Sequence, residues 1–402
     1  MPTLPSIHPV GHLTTGHPSR GDPSRRRRAV IARRALAAAI AAGAAGSLAL
    51  APASSALAAT HRSFIGRFHK LTTIASTVPR NGDVNPYGIV VVHHSQGRLH
   101  AGNILISNFN NKGNLQGTGT TIVQVTPGGH RTLFARISAR HLPGSCPGGV
   151  GLTTALAVLR GGWVVVGSTP ARSGMVGTAK AGCLIVLNAR GRVRETISGH
   201  GINGPWDATA LSRGRHADLF VTNVLNGTVA ANGKVVHRGT VLRLGLRLLA
   251  HHPPRLTRVT TIGSGFAEQG NAAAFVLGPT GVGLGAGGAL YVAETQSSRI
   301  FAIPRAVTRT ASAGTGRLVS GGGALSAPLG LTIAPNGHVL TVNGNNGKIV
   351  ETAPGGRQVA SRFLDRSGMP PGAGALFGLT LAPHGRGVYY VDDAANTLRL
   401  LH

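Results

Sequence analysis

Gly330-Leu331-Thr332-Ile333-Ala334-Pro335-Asn336-Gly337-His338-Val339-Leu340-Thr341-Val342 reads as two short strands joined by a turn. Apolar residues alternate on both sides of Pro335-Asn336-Gly337, and that tripeptide is turn chemistry. Gly378-Leu379-Thr380-Leu381-Ala382-Pro383-His384-Gly385 repeats the opening 48 residues later. Earlier copies begin at Tyr87-Gly88-Ile89, Val150-Gly151-Leu152, Trp206-Asp207-Ala208 and Thr280-Gly281-Val282. The six starts are spaced by 63, 56, 74, 49 and 48 residues. Each unit runs on into a third strand, such as Arg299-Ile300-Phe301-Ala302-Ile303 or Lys348-Ile349-Val350-Glu351.

A three- or four-stranded hairpin set of this size cannot bury its faces alone, so the units must stack sheet on sheet. Closing six small sheets radially removes their long open edges. The sequence therefore predicts an all-β chain folded as a six-bladed β-propeller over residues 59–402. The longer spacings predict insertions at 224–262 and 264–278, which loops tolerate because closure entropy grows slowly with length. The last unit stops at His402, directly after its third strand. Residues 63–78, with Leu71-Thr72-Thr73-Ile74, are expected to supply the missing strand and close the ring. Composition agrees: 60 glycines and only 13% charged residues suit turns and strands rather than helices. The glycines follow no three-residue period, which excludes a collagen helix.

Residues 1–58 read as an export signal. Arg25–Arg28 and Arg33-Arg34 precede an Ala-rich apolar stretch, Ala35–Leu50, and Ala56-Leu57-Ala58 offers a small-residue cleavage site. Arg27-Arg28-Ala29-Val30-Ile31 resembles the twin-arginine pattern, although an ordinary secretory signal would use the same layout. No later run is apolar and long enough to span a membrane. An extracytoplasmic protein is expected, whether secreted, periplasmic or wall-associated. In that setting Cys146 and Cys183, the two cysteines, are expected to form a disulfide.

The formal charge is +29, and 33 basic and 10 acidic residues after the signal leave +23 on the propeller. Such a charge favours polyanions, acidic envelope polymers among them. Nucleic acid is a poor fit, because base-stacking aromatics are only 4% of the chain and no basic helix is evident.

Leu290-Tyr291-Val292-Ala293-Glu294 with Arg299-Ile300 resembles the NHL repeat, as does Val388-Tyr389-Tyr390-Val391-Asp392 with Asn396. The resemblance covers residues 81–402. It implies a six-bladed propeller in a broad superfamily that holds regucalcin and gluconolactonase, streptogramin lyases, strictosidine synthase-like proteins and simple binding modules. Lactonases of that kind draw Asn, Asp and Glu ligands for a channel metal from the strand-start region, since calcium needs several hard oxygen donors. Here the residue before the repeat glycine reads Tyr87, Val150, Trp206, Thr280, Leu329 and Phe377. That column offers no carboxylate cage, so no metal or other cofactor is expected. Asp207 replaces the repeat glycine in one copy and either reaches the channel or caps a turn.

A second column ends the second strand: Asn108, Ser168, Asn223, Glu294, Asn343 and Asp392. These residues either tie down the next turn or form a ligand-facing polar ring with Glu294 and Asp392 as its charges. His93-His94 and His251-His252 are adjacent pairs whose side chains would point apart on a strand. No GxSxG motif occurs, and the glycine runs at 285–288 and 321–323 lack the Lys-Ser/Thr of a phosphate loop. The expectation is an exported binding or scaffold propeller whose partner is an unidentified small molecule or protein. The alternative is a propeller enzyme of the lactonase, streptogramin lyase or strictosidine synthase-like group.

Overall fold

A computed structural model describes residues 62–402; the proposed export signal lies outside the described residues. The chain forms six sheets around a central axis. Blade 1 runs from Val84–Val91 (inner strand) to Arg131–Arg136 (outer), and blade 2 from Leu152–Leu159 to Val193–Ile197. Blades 4 and 5 run from Pro279–Leu284 to Arg317–Gly321 and from Pro328–Ile333 to Gln358–Phe363. Blade 6 has Leu376–Leu381, Val388–Asp392 and Thr397–Leu401, and its outer strand is the N-terminal Leu71–Ser76. Leu71 pairs with Leu401 and Ser76 with Thr397, antiparallel, so the two chain ends close the ring.

Blade 3 departs from the expected loop insertions. Its third and fourth strands are long, Val236–Arg247 and Arg255–Asn271, and a fifth strand, Phe275–Leu277, pairs back onto the fourth. The extra residues became ladder rather than loop, because the long strands satisfy their backbone groups within the sheet. The segment 264–278 therefore belongs to blade 3 and does not open blade 4.

The strand-level pattern shows why the repeats depend on one another. Val339–Asn343 is buried along its whole length. Val339 packs into a cluster shared with blade 4, while Leu340 and Val342 pack into one shared with blade 6. Period-2 alternation thus splits one strand between two seams. The same holds round the ring, where an apolar cluster fills each of the six seams. Cys146 and Cys183 are disulfide-bonded with Cα atoms 5.3 Å apart, joining the segment before blade 2 to its third strand.

Candidate functional site

In every blade the pairing of inner and second strands breaks at the same place. In five blades the break falls between Pro86 and Ile89, Pro205 and Ala208, Pro279 and Val282, Pro328 and Leu331, or Leu376 and Leu379. The two unpaired residues are a β-bulge, made of the column residue and the repeat glycine or Asp207. Blade 2 corrects the sequence alignment. There Leu152 pairs with Ser168 and the break runs to Leu156, so Thr153, Thr154 and Ala155 occupy a three-residue bulge while Val150-Gly151 lie ahead of it.

The bulges pinch the axis into a neck. A Cβ at Gly281 would lie 2.1 Å from the Leu329 carbonyl oxygen, at Gly330 2.3 Å from that of Phe377, and at Gly378 2.2 Å from that of Tyr87. Neighbouring inner strands approach too closely there for any side chain, which is the physical reason for the repeated glycine. Asp207 marks a seam built differently. Its Oδ2 accepts the N–H of Val282 in blade 4 at 3.0 Å, and its Oδ1 accepts the N–H of Ala208 at 2.8 Å. Thr222 Oγ1 accepts the Asp207 N–H at 2.9 Å and donates to the Thr280 carbonyl at 2.6 Å. Ser107 makes the same hydroxyl bridge from Gly88 to the Thr153 carbonyl between blades 1 and 2, so the carboxylate is what sets the seam of blades 3 and 4 apart.

Apart from Val150, which packs against the seam of blades 1 and 2, the column residues lie on one side of the neck. Tyr87 stacks on Phe377 at 4.1 Å and on Phe109 at 4.5 Å, and Trp206 meets Tyr87 edge-on at 5.9 Å. Phe275, from the fifth strand of blade 3, stacks on Trp206 at 6.1 Å. These rings fill the axis as a buried aromatic plug, with Leu329 half-buried and Thr280 buried beside it. Burial, with Asp393 nearby, pushes the Tyr87 phenol well above its ordinary pKa. Burial and the neighbouring Asp392 charge raise Asp393 to about 7.

On the other side of the neck the axis opens into a channel of about 310 Å³. Asp207 lines it, together with Thr154, Thr209, Thr332, Thr380 and, at its mouth, His93. Thr209, Thr332 and Thr380 occupy one position, two residues past the bulge's last member, in blades 3, 5 and 6. Sequence reading overlooked this hydroxyl wall. Its signal was the recurring Gly-Leu-Thr at 330–332 and 378–380, which was spent entirely on the strand pattern. Burial raises the Asp207 carboxyl to about 7, against the pull of the Ala208 and Val282 N–H groups. Desolvation wins because each oxygen accepts only one backbone hydrogen bond.

The second column is placed away from the channel. Asn223 Oδ1 accepts the N–H groups of Asn203 and Gly204 at 2.8 and 3.0 Å. Ser168 Oγ accepts from Gly151 N–H and donates to Gly149 C=O, both at 3.0 Å. Asn343 Nδ2 donates to Ala324 C=O at 2.7 Å, and Asn108 Nδ2 to Thr77 C=O at 3.2 Å. Glu294 accepts from Gln296 N–H and Ser297 Oγ, and Asp392 from Ala395 N–H and Arg399. All six are buried and serve turns and connections. Among the described residues, no three of His, Cys, Asp and Glu gather where they could hold a metal ion.

No protein-family model matches the chain, and no curated protein does. Among solved structures it is similar to a gluconolactonase from Xanthomonas campestris, at 14% identity, a TM-score of 0.51, and coverage of 86% of this chain and 92% of that one. It is similar to regucalcin, a calcium-binding protein from Agrobacterium tumefaciens, at 11% identity and a TM-score of 0.51, covering 82% and 95%. Virginiamycin B lyase from Staphylococcus aureus matches at 17% identity and a TM-score of 0.45, covering 80% and 82%. At such identities the likeness is one of fold, the six-bladed β-propeller.

Proposed function

We propose that this chain is an exported propeller that takes a small hydroxylated molecule into its central channel and holds it at Asp207. The carrying observation is one carboxylate in an open channel whose lining sets threonines from blades 2, 3, 5 and 6 among aliphatic side chains. A carboxylate is the strongest acceptor for a sugar-like hydroxyl, and threonines both donate and accept. A volume of about 310 Å³ suits a monosaccharide-sized ligand. The disulfide supports export, because such bonds persist in oxidising compartments. Acidic envelope polymers are a further partner that the charge of +23 on residues 59–402, 33 basic less 10 acidic, would attract.

One observation favours an enzyme of the lactonase and lyase group instead. A carboxyl with a pKa of about 7 is poised to give and take a proton at neutral pH. On this reading Asp207 is the general acid–base group for a hydroxylated substrate, and metal chemistry is not invoked. The two readings separate in one assay. Glucono-δ-lactone hydrolysis above the spontaneous rate, in chelator, lost in Asp207→Asn, would establish the enzyme. Saturable binding without turnover, weakened at least tenfold in Asp207→Asn, is the result expected of the binding protein. Neither turnover nor binding of monosaccharides or their lactones would refute both. Export is checked by sequencing the N-terminus of the secreted protein, where a start near Ala59 is expected and an intact 1–58 segment would contradict it.

A further inference from the structure

The hairpin over the plugged end of the axis has no counterpart in the other blades. The strand Arg255–Asn271 turns back into Phe275–Leu277, and Asn271 Oδ1 caps the turn by accepting the N–H groups of Ala273 and Ala274 at 2.9 and 2.8 Å. Phe275 follows with φ +64°, a left-handed conformation that a bulky side chain adopts only under strain. Its ring is fully buried, stacked on Trp206 and edge-on to Phe109 of blade 1 at 5.5 Å. Tyr87, Phe109, Trp206 and Phe377 come from the inner and second strands of blades 1, 3 and 6. They form a cage, and Phe275 is a visitor brought in by the hairpin.

The closed hairpin has a second weakness. Glu268, in its stem, is fully buried, and neither carboxylate oxygen has a partner in hydrogen-bond geometry. Burial pushes its pKa to about 7, against the pull of nearby Asn226 and Leu225 N–H groups and Arg238. Opening would hydrate this carboxylate and relax Phe275, so both penalties of the closed form are relieved together. Polar anchorage of the tip to blade 1 is modest: Gln116 Nε2 donates to the carbonyls of Ala272 and Ala273 at 3.3 and 2.9 Å.

We propose that the hairpin is a lid, that Phe275 is an internal stand-in for a ligand, and that the cage takes a planar aromatic group when the lid lifts. This site lies across the glycine neck from Asp207 and does not depend on the function proposed for the channel. The ligand class follows from the occupant: flat rings in offset-stacked and edge-on contact select another flat ring. A lid that must lift lowers apparent affinity by the fraction of molecules that are open. Loosening its tip therefore tightens binding without touching the cage.

The chain has two tryptophans, Trp163 and Trp206, so a Trp163→Phe background reports on the cage alone. The probe is 4-nitrobenzyl alcohol, a neutral planar ring that quenches indole emission. We expect saturable quenching of Trp206, with the dissociation constant about threefold to tenfold lower in Gln116→Ala, the effect of losing two hydrogen bonds that hold the lid shut. Equal affinity in the two proteins would overturn the lid. Binding by Phe275→Gly alone, with none in the parent or Gln116→Ala, would show a structural plug whose cavity exists only after mutation, and would overturn the proposal. Absence of quenching in all three proteins would do the same.

Discussion

Asp207 shows how much one residue can carry and how little of it the sequence discloses. Its place in the repeat was legible, because five copies have glycine there and one does not. Of the two roles weighed for it, the structure places it in the channel wall rather than on a turn, and adds another, the tie between blades 3 and 4. That tie joins residues 75 positions apart, which no local pattern encodes. Its raised pKa has a consequence for stability. Between the ordinary aspartate range near 4 and about 7, the unfolded chain loses the proton that the folded chain keeps, so stability falls as pH rises through that window. Asp207→Asn removes the titration. We predict that the Tm of Asp207→Asn minus that of the parent increases between pH 5 and pH 8. A difference that is flat with pH would show that the carboxyl titrates normally.

At the scale of elements, the N-terminal strand was predictable from a count: the last unit is one strand short and a spare strand precedes the first. What holds the segment ahead of it was not predictable. Glu351, on the third strand of blade 5, accepts the N–H groups of Phe64 and Ile65 at 2.7 and 2.9 Å and the Ser63 hydroxyl at 2.6 Å. His338 Nδ1 lies 2.6 Å from the same carboxylate. Burial alone would raise the Glu351 pKa, but the bonds from Phe64, Ser63, Ile65 and Asn336 outweigh it and hold it below the ordinary value. Phe64, Ile65 and Phe68 then pack into the seam of blades 5 and 6. Glu351→Ala leaves buried N–H groups without an acceptor, and at pH 7 we expect a loss of about 2–4 kcal/mol. The sign follows from the lowered pKa: the contribution is complete above the ordinary glutamate range and disappears as pH falls through the folded value. Denaturant curves of Glu351→Ala and parent should therefore converge in acid and separate at neutral pH; a gap that persists at low pH would assign the loss to packing instead.

For the whole molecule, repetition made the architecture legible, since units that cannot bury their faces alone must close into a ring. The blade 2 register and the long strands of blade 3 were not legible. Both depend on which residues pair across strands, and a bulge shifts that pairing without altering the apolar pattern. The functional geometry followed the same rule. The column side chains from Tyr87, Trp206 and Phe377 pack as a plug on one side of the neck, while Asp207, next to Trp206 in sequence, lines the channel on the other. The account stands on that open side being the ligand site. Thr332→Trp should fill the channel from blade 5 without touching Asp207 or the plug. Saturation-transfer NMR with a monosaccharide panel tests this directly: binding by the parent should disappear in Thr332→Trp while the Tm stays within a few degrees. Sugars that bind the blocked protein as well as the parent would place the site elsewhere and contradict the account.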